Sequence, residues 1–145
     1  MPKNVVQARQ QRLIDEYSKL PNWEDRYKRL IDKGKQLAEM PKKYYDEKFK
    51  VRGCQSQVWL HAELTTDKLI HFYGDSDGLI VKGLVALLIE VYSDASPEDI
   101  LAADAQFLKD LGFEGHLSPS RANGLYAMLK QILLYATAFQ TMART

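Results

Sequence analysis

The spacing of apolar residues changes twice along this chain, and these changes restrict the possible folds more than any other feature. Within residues 22–38 and 118–139, apolar side chains recur three or four positions apart, which predicts amphipathic helices. From Val58 to Leu64, apolar and polar residues alternate, which predicts a strand with one buried face. A turn and a second strand over Leu69 to Tyr73 follow, so the two strands are predicted to form a hairpin.

Further elements are predicted on both sides of this hairpin. Residues 79–92 are apolar on most sides, which indicates a helix at the centre of the domain. The segment before it is predicted to be a turn with three candidate caps for that helix, Asp75, Ser76 and Asp77. The end of the 41–52 stretch predicts one more short strand. We therefore expect an α+β fold in a single domain, residues 1–145, with a small antiparallel sheet of about three strands flanked by several helices.

Composition excludes several classes of protein. Lys and Arg number 20 against 19 Asp and Glu, so the chain lacks the positive excess of a general nucleic-acid binder. No apolar run reaches the length of about 20 residues that a membrane span needs. The N-terminus lacks the apolar core of a signal peptide, and a lone cysteine fits a reducing compartment. We expect a cytoplasmic protein that binds neither nucleic acid nor membrane.

The single cysteine, Cys54, is the first candidate for chemistry. Gly53 permits a bend just before it, at a point where a loop enters the first strand, which predicts an exposed tip. Lys48, Lys50 and Arg52 lie just upstream, and nearby positive charge favours the thiolate, which is the nucleophilic form. A lone cysteine is equally compatible with a small buried apolar side chain.

Other thiol chemistries do not fit the sequence. There is no second cysteine for dithiol exchange, and the three histidines, His61, His71 and His116, do not show zinc-finger spacing. An iron–sulfur cluster bound by this chain alone normally needs more thiolates. We therefore predict no metal site.

Arg121 is the second candidate. Ser118 is the predicted N-cap of the last helix, which puts Arg121 in its first turn, where a cation opposes the helix dipole at a cost of up to about 1 kcal/mol. One interpretation is that Arg121 points at an anion such as a thiolate or a persulfide. The other is a solvated surface arginine that tolerates the small cost.

Five ordered segments of the chain resemble the SufE family of sulfur-acceptor proteins and its CsdE-like relatives. They are NWEDRY (22–27), GKQL (34–37), VRGCQSQVWL (51–60), GDSDGLIVKGLVALL (74–88) and HLSPSRANGL (116–125). The resemblance implies a fold similar to that of SufE and the iron–sulfur scaffold proteins. It implies Cys54 and Arg121 as catalytic residues, and it implies seven residues that bind the partner or support the loop: Arg52, Gly53, Gln55, Ser56, Asp75, Asp77 and His116.

The resemblance also implies a function. Members of this family partner a pyridoxal-phosphate-dependent cysteine desulfurase, of the SufS or CsdA type, and stimulate it. Their cysteine takes sulfur from the desulfurase as a transient persulfide and passes it to an iron–sulfur scaffold complex of the SufBCD type. The pyridoxal phosphate belongs to the desulfurase, so no bound cofactor is expected here, and the chain is a sulfurtransferase-like carrier that does not act alone.

Two other functions stay open at this point. The chain is compatible with a non-catalytic regulator that docks on the desulfurase and activates it, with Cys54 incidental. It is also compatible with a redox sensor in which Cys54 forms a sulfenic acid, although the chain has no second cysteine to resolve it.

Overall fold

The computed structural model describes residues 4–113 and 115–143, and for residue 143 the backbone only. Within these residues the order is helix, helix, hairpin, then four helices, which includes the hairpin and the helices predicted over residues 22–38, 79–92 and 118–139. The elements are α1 (Val5–Ser18), α2 (Trp23–Lys35), two short 3-10 turns (Lys42–Tyr44 and Glu47–Phe49), β1 (Val58–Leu64), β2 (Ile70–Ser76), α3 (Leu79–Tyr92), α4 (Pro97–Ala102), α5 (Gln106–Asp110) and α6 (Pro119–Ala143).

Polar side chains cap the first turns of α2 and α4. The side chain of Asn22 accepts a hydrogen bond from the backbone of Asp25 at 2.9 Å, which satisfies a free N–H of α2. The hydroxyl of Ser96 does the same for Asp99 at 3.1 Å, with Pro97 as the first helical residue of α4.

The hairpin is longer at one end than the sequence indicates. β1 and β2 pair antiparallel from Leu64 opposite Ile70 to Val58 opposite Ser76. The predicted turn over residues 74–78 is therefore wrong in its first half. Residues 74–76 continue the strand because the alternation of buried and half-buried positions continues through them, with Ser76 buried. Consequently α3 begins after Gly78 without a side-chain cap, and the predicted capping by Asp75, Ser76 and Asp77 is wrong.

The third strand is reduced to a single bridge. In the described part of the chain the sheet has two strands, and Lys50 alone forms an antiparallel bridge to Trp59 on the outer edge of β1. The segment before Lys50 forms the two 3-10 turns instead of extended backbone. The α+β architecture is as predicted, and the strand count of about three was one too high.

Helix α3 forms the centre of the core, as its apolar composition predicts. Its side chains Leu84, Leu87 and Val91 are fully buried between the sheet and the other helices. Helix α2 crosses it closely at Gly83, where an added Cβ would lie 2.3 Å from the backbone oxygen of Leu30. Only glycine allows that approach. Among the described residues, no helix has both the length and the apolar character needed to cross a bilayer.

Candidate functional site

The loop that carries Cys54 runs from Arg52 to Gln57 and is closed at its base. The backbone N–H of Val51 donates to the oxygen of Val58 at 2.8 Å, so the chain enters and leaves the loop side by side. Gly53 has a φ of +90°, a conformation that other residues rarely adopt. The glycine therefore sets the bend that turns the next residue, Cys54, towards the protein.

Asp77 ties the loop to the end of β2. Its carboxylate accepts a hydrogen bond from the backbone N–H of Gln57 at 2.8 Å, and its own N–H donates to the oxygen of Gln57 at 3.2 Å. Asp77 therefore supports the loop, through contacts that the sequence did not indicate.

The Cys54 side chain is half-buried, with its sulfur directed at α6. The Sγ atom donates to the backbone oxygen of Gly124 at 3.7 Å. Beside it lies an open cavity of about 340 Å³, large enough for several waters or for an added sulfur atom. Eight residues line the cavity: Cys54, Gln55, Ser56, Val81, Ser118, Ser120, Arg121 and Gly124. Arg52, Gly53, Gln55 and Gln57 are exposed, as predicted for a loop tip, whereas Cys54 itself is half-buried because its side chain lies against α6.

Two glycines let the loop approach its neighbours. A Cβ on Gly124 would lie 3.4 Å from the Cys54 sulfur, and one on Gly78 would lie 2.6 Å from the hydroxyl of Ser56. Neither glycine was identified as a site residue from the sequence. The one available signal was a glycine inside the apolar period of the last helix, where it costs about 1 kcal/mol relative to alanine.

Burial raises the pKa of the Cys54 thiol above its ordinary value. The prediction that Lys48, Lys50 and Arg52 lower this pKa is therefore wrong for the protein alone. Lys50 is paired with Glu47 at 2.8 Å, and Lys48 lies over the ring of Phe49. The protein alone therefore holds this thiol in its neutral, less nucleophilic form more firmly than a fully solvated cysteine would be held.

Arg121 lines the same cavity. The backbone N–H of Arg121 donates a hydrogen bond to the hydroxyl of Ser118 at 3.3 Å, so Ser118 caps α6 as predicted. The side chain is exposed and has no ion-pair partner among the described residues. The structure therefore brings the two predicted catalytic residues, which lie far apart in the chain, to one cavity.

The other predicted site residues fall into four places, and three of them lie on the hairpin or the loop before it. Gln55 and Ser56 line the cavity, whereas Arg52 is exposed in the turn before Cys54. Asp75 lies on β2, where it pairs with Lys82 at 3.3 Å and accepts a hydrogen bond from the Tyr45 hydroxyl.

His116 does not line the cavity. Its ring stacks on Trp23 at the start of α2, with 4.0 Å between ring centroids. A partner-binding role for His116 stays a prediction. No cluster of three or more His, Cys, Asp or Glu side chains suited to a metal ion occurs among the described residues.

Comparison with known proteins agrees with these features. Residues 11–136 match the family model described as "SufE: Fe-S metabolism associated domain". An uncharacterised SufE-like protein of Rhizobium meliloti (strain 1021) is 42% identical over 124 residues, which covers 83% of this chain and 89% of that protein. The solution structure of a hypothetical protein from Thermus thermophilus has the same fold, with a TM-score of 0.77 and 24% identity over 92% of this chain and 96% of the other. The chain belongs to the SufE family, whose domain is associated with iron–sulfur metabolism.

Proposed function

We propose that this protein is a sulfur carrier that accepts persulfide sulfur on Cys54 from a cysteine desulfurase and passes it on for iron–sulfur cluster assembly. The observation that carries the proposal is the position of the lone thiol. Cys54 and Arg121 line one cavity of about 340 Å³, and the loop that carries Cys54 is closed at its base. Family membership supports the same role.

Sulfur uptake needs one exchange step. The Cys54 thiolate attacks the outer sulfur of the donor's cysteine persulfide, so a new S–S bond forms on Cys54 while the donor's S–S bond breaks. The donor cysteine leaves as a thiolate. The sulfur is transferred without an external oxidant or reductant. In a second exchange of the same kind, an acceptor thiolate attacks the outer sulfur of the Cys54 persulfide and Cys54 leaves as a thiolate.

The raised thiol pKa suits a carrier that waits between partners. A protonated thiol is a poor nucleophile, so the resting protein reacts slowly with stray oxidants. When a donor draws the loop off α6, the desolvation that raises this pKa is relieved and the thiolate forms. Gly53 supplies the backbone freedom, while the Gln57–Asp77 bonds keep the base of the loop in register.

Arg121 is positioned to attract the charged forms. A thiolate and a persulfide anion are both negative, and Arg121 contributes a positive charge to the lining of the cavity that would hold them. Its place in the first turn of α6 opposes the helix dipole, so it contributes little to the stability of that helix.

The test uses intact-protein mass spectrometry after incubation with the cysteine desulfurase of the same cell and L-cysteine. The wild-type protein should gain the mass of one or more sulfur atoms, and a thiol reductant should remove them. Cys54→Ser should gain none while its circular dichroism spectrum stays unchanged. A wild-type protein that gains no mass, or that gains it away from Cys54, contradicts the proposal.

The same variant separates a carrier from a regulator that only docks. A carrier without its thiol cannot draw sulfur from the desulfurase, so Cys54→Ser should fail to stimulate sulfide release from L-cysteine. Full stimulation by Cys54→Ser would instead favour the regulator. Titration of the wild type with peroxide, compared with persulfide loading, distinguishes a redox sensor from both.

A further inference from the structure

The segment that leads into the Cys54 loop, and shares Arg52 with it, differs in charge from the rest of the chain. Residues 41–52, which we call the strap, contain five basic and two acidic side chains. The remainder of the chain holds 15 basic and 17 acidic side chains, so it is slightly acidic. The net charge of the whole chain is close to zero, but positive charge is concentrated in the strap, which is joined directly to the Cys54 loop.

Aromatic rings attach the strap to the outer face of the hairpin. Tyr44 stacks on His61 with 3.9 Å between centroids, and Phe49 meets the same imidazole edge-on at 4.6 Å. Tyr45 packs against Trp59 at 5.1 Å. Together with the bridge between Lys50 and Trp59, these contacts hold the strap in one position on β1.

The lysine side chains lie over these rings. Lys43 lies above Tyr44 at 5.1 Å and Lys48 above Phe49 at 5.2 Å, measured from the ammonium nitrogen to the ring centroid. Both lysines are exposed, as is Lys42. Cation–π contacts of this kind restrict the long side chains and so lower the entropy cost of a later contact with a partner.

The acidic side chains around the strap are mostly engaged. Glu47 pairs with Lys50, and Asp46 accepts a hydrogen bond from the Lys48 backbone at 3.1 Å. Beneath the strap, Glu63 and Asp75 each accept a hydrogen bond from a tyrosine hydroxyl. In contrast, three exposed lysines and an arginine have no carboxylate within ion-pair distance among the described residues: Lys42, Lys43, Lys48 and Arg52.

These charges do not activate the thiol, because burial alone accounts for the shift in the pKa of Cys54. They are nevertheless near it. The six steps along the chain from Lys48 to Cys54 span at most about 3.5 Å each, so the two Cα atoms lie within about 21 Å of each other. At that distance, the strap can contact the surface of a partner beside the reactive group that meets Cys54.

We infer that the strap is a docking surface for an acidic patch beside the donor cysteine of the sulfur-donating partner, an inference that rests on the proposed function. Fixed positive charge next to the reactive loop steers an oppositely charged surface and orients it before the loop moves. The strap thus determines which donor is recognised, whereas Cys54 and Arg121 handle the sulfur.

The test reverses the exposed charges and measures docking. In the triple variant K42E/K43E/K48E, the apparent KM for the carrier in desulfurase stimulation should rise about tenfold or more at low salt, with kcat nearly unchanged. The neutral variant K42Q/K43Q/K48Q should show a smaller rise. High salt should reduce the difference between each variant and the wild type, since it screens exposed charges.

A matched control carries the same change in net charge on helices away from the strap. The exposed lysines Lys19, Lys28 and Lys109 lie beside or within α1, α2 and α5, and K19E/K28E/K109E should leave the KM near the wild-type value. An equal rise in both triple variants would mean that net charge matters and the strap does not, which overturns the inference.

Loading with inorganic polysulfide separates this inference from the proposed function. The triple variant should still gain sulfur on Cys54 from polysulfide, as the wild type does, because its thiol is intact. If neither protein is loaded by polysulfide or by the desulfurase, the carrier function itself fails. If docking on the desulfurase is unchanged but binding to an RNA oligonucleotide or to anionic vesicles is lost, the strap serves another polyanion and the inference is wrong.

Discussion

At the scale of single residues, the burial of Cys54 determines how the protein behaves before it meets a partner. The sulfur lies against Gly124 in α6, and this burial raises its pKa, although the neighbouring sequence is basic. Sequence reasoning identified the residue but not its state, because charge along the chain is visible in the sequence and burial by a helix 70 residues away is not.

A pH profile tests this resting state. The rate of Cys54 alkylation by iodoacetamide should reach half its maximum at a higher pH in the folded protein than in urea, where the pKa is near 8.5. Because the folded state holds the thiol proton more tightly, wild-type stability should fall relative to Cys54→Ser as the pH rises above that value. If the alkylation rate of the folded protein reaches half its maximum at the same pH as in urea, or at a lower pH, the burial of Cys54 does not raise its pKa.

Substitution of Arg121 should change the transfer rate and the stability of the protein differently. Arg121→Ala should slow persulfide transfer severalfold and leave the free energy of unfolding unchanged, or raise it by up to about 1 kcal/mol, since the removed cation opposes the helix dipole. Arg12→Ala, at an exposed position of α1, is the matched control. Equal transfer rates in the two variants would assign Arg121 to the solvated surface.

At the scale of elements, local signals in the sequence were sufficient for some boundaries and misleading for others. β1 and α3 begin and end where the alternation and the apolar run predict, and Asn22, Ser96 and Ser118 cap their helices. The segment GDSDG has the composition of a turn, yet its first three residues pair with β1. Pairing between distant segments outweighed the turn preference of glycine and aspartate there.

The link between the Cys54 loop and β2 gives an element-scale prediction. Asp77→Ala removes the carboxylate that accepts from Gln57, so the free energy of unfolding should fall by about 1 kcal/mol and alkylation of Cys54 should become faster. Asp77→Asn keeps an acceptor oxygen at the same place and should stay close to the wild type in both measurements. Identical alkylation rates in all three proteins would show that this contact does not hold the loop.

At the scale of the whole molecule, the hairpin and α6 together create the site. Neither the loop before β1 nor the first turn of α6 forms a cavity alone, and the two segments meet beside Val81 of the central helix α3. The family and the α+β class could be inferred from the sequence. The cavity, the close approach of Gly124 to Cys54 and the aromatic attachment of the strap could not be inferred, since each depends on contacts between segments far apart in the chain.

The central claim is that sulfur passes through Cys54. The most direct test is to follow the Cys54 persulfide by rapid quench and mass spectrometry while the desulfurase turns over L-cysteine in the presence of an acceptor. The persulfide should form at least as fast as overall sulfur delivery and should decay at the delivery rate once L-cysteine is exhausted. If sulfur reaches the acceptor at full rate while Cys54 remains a free thiol, the residue is not on the path.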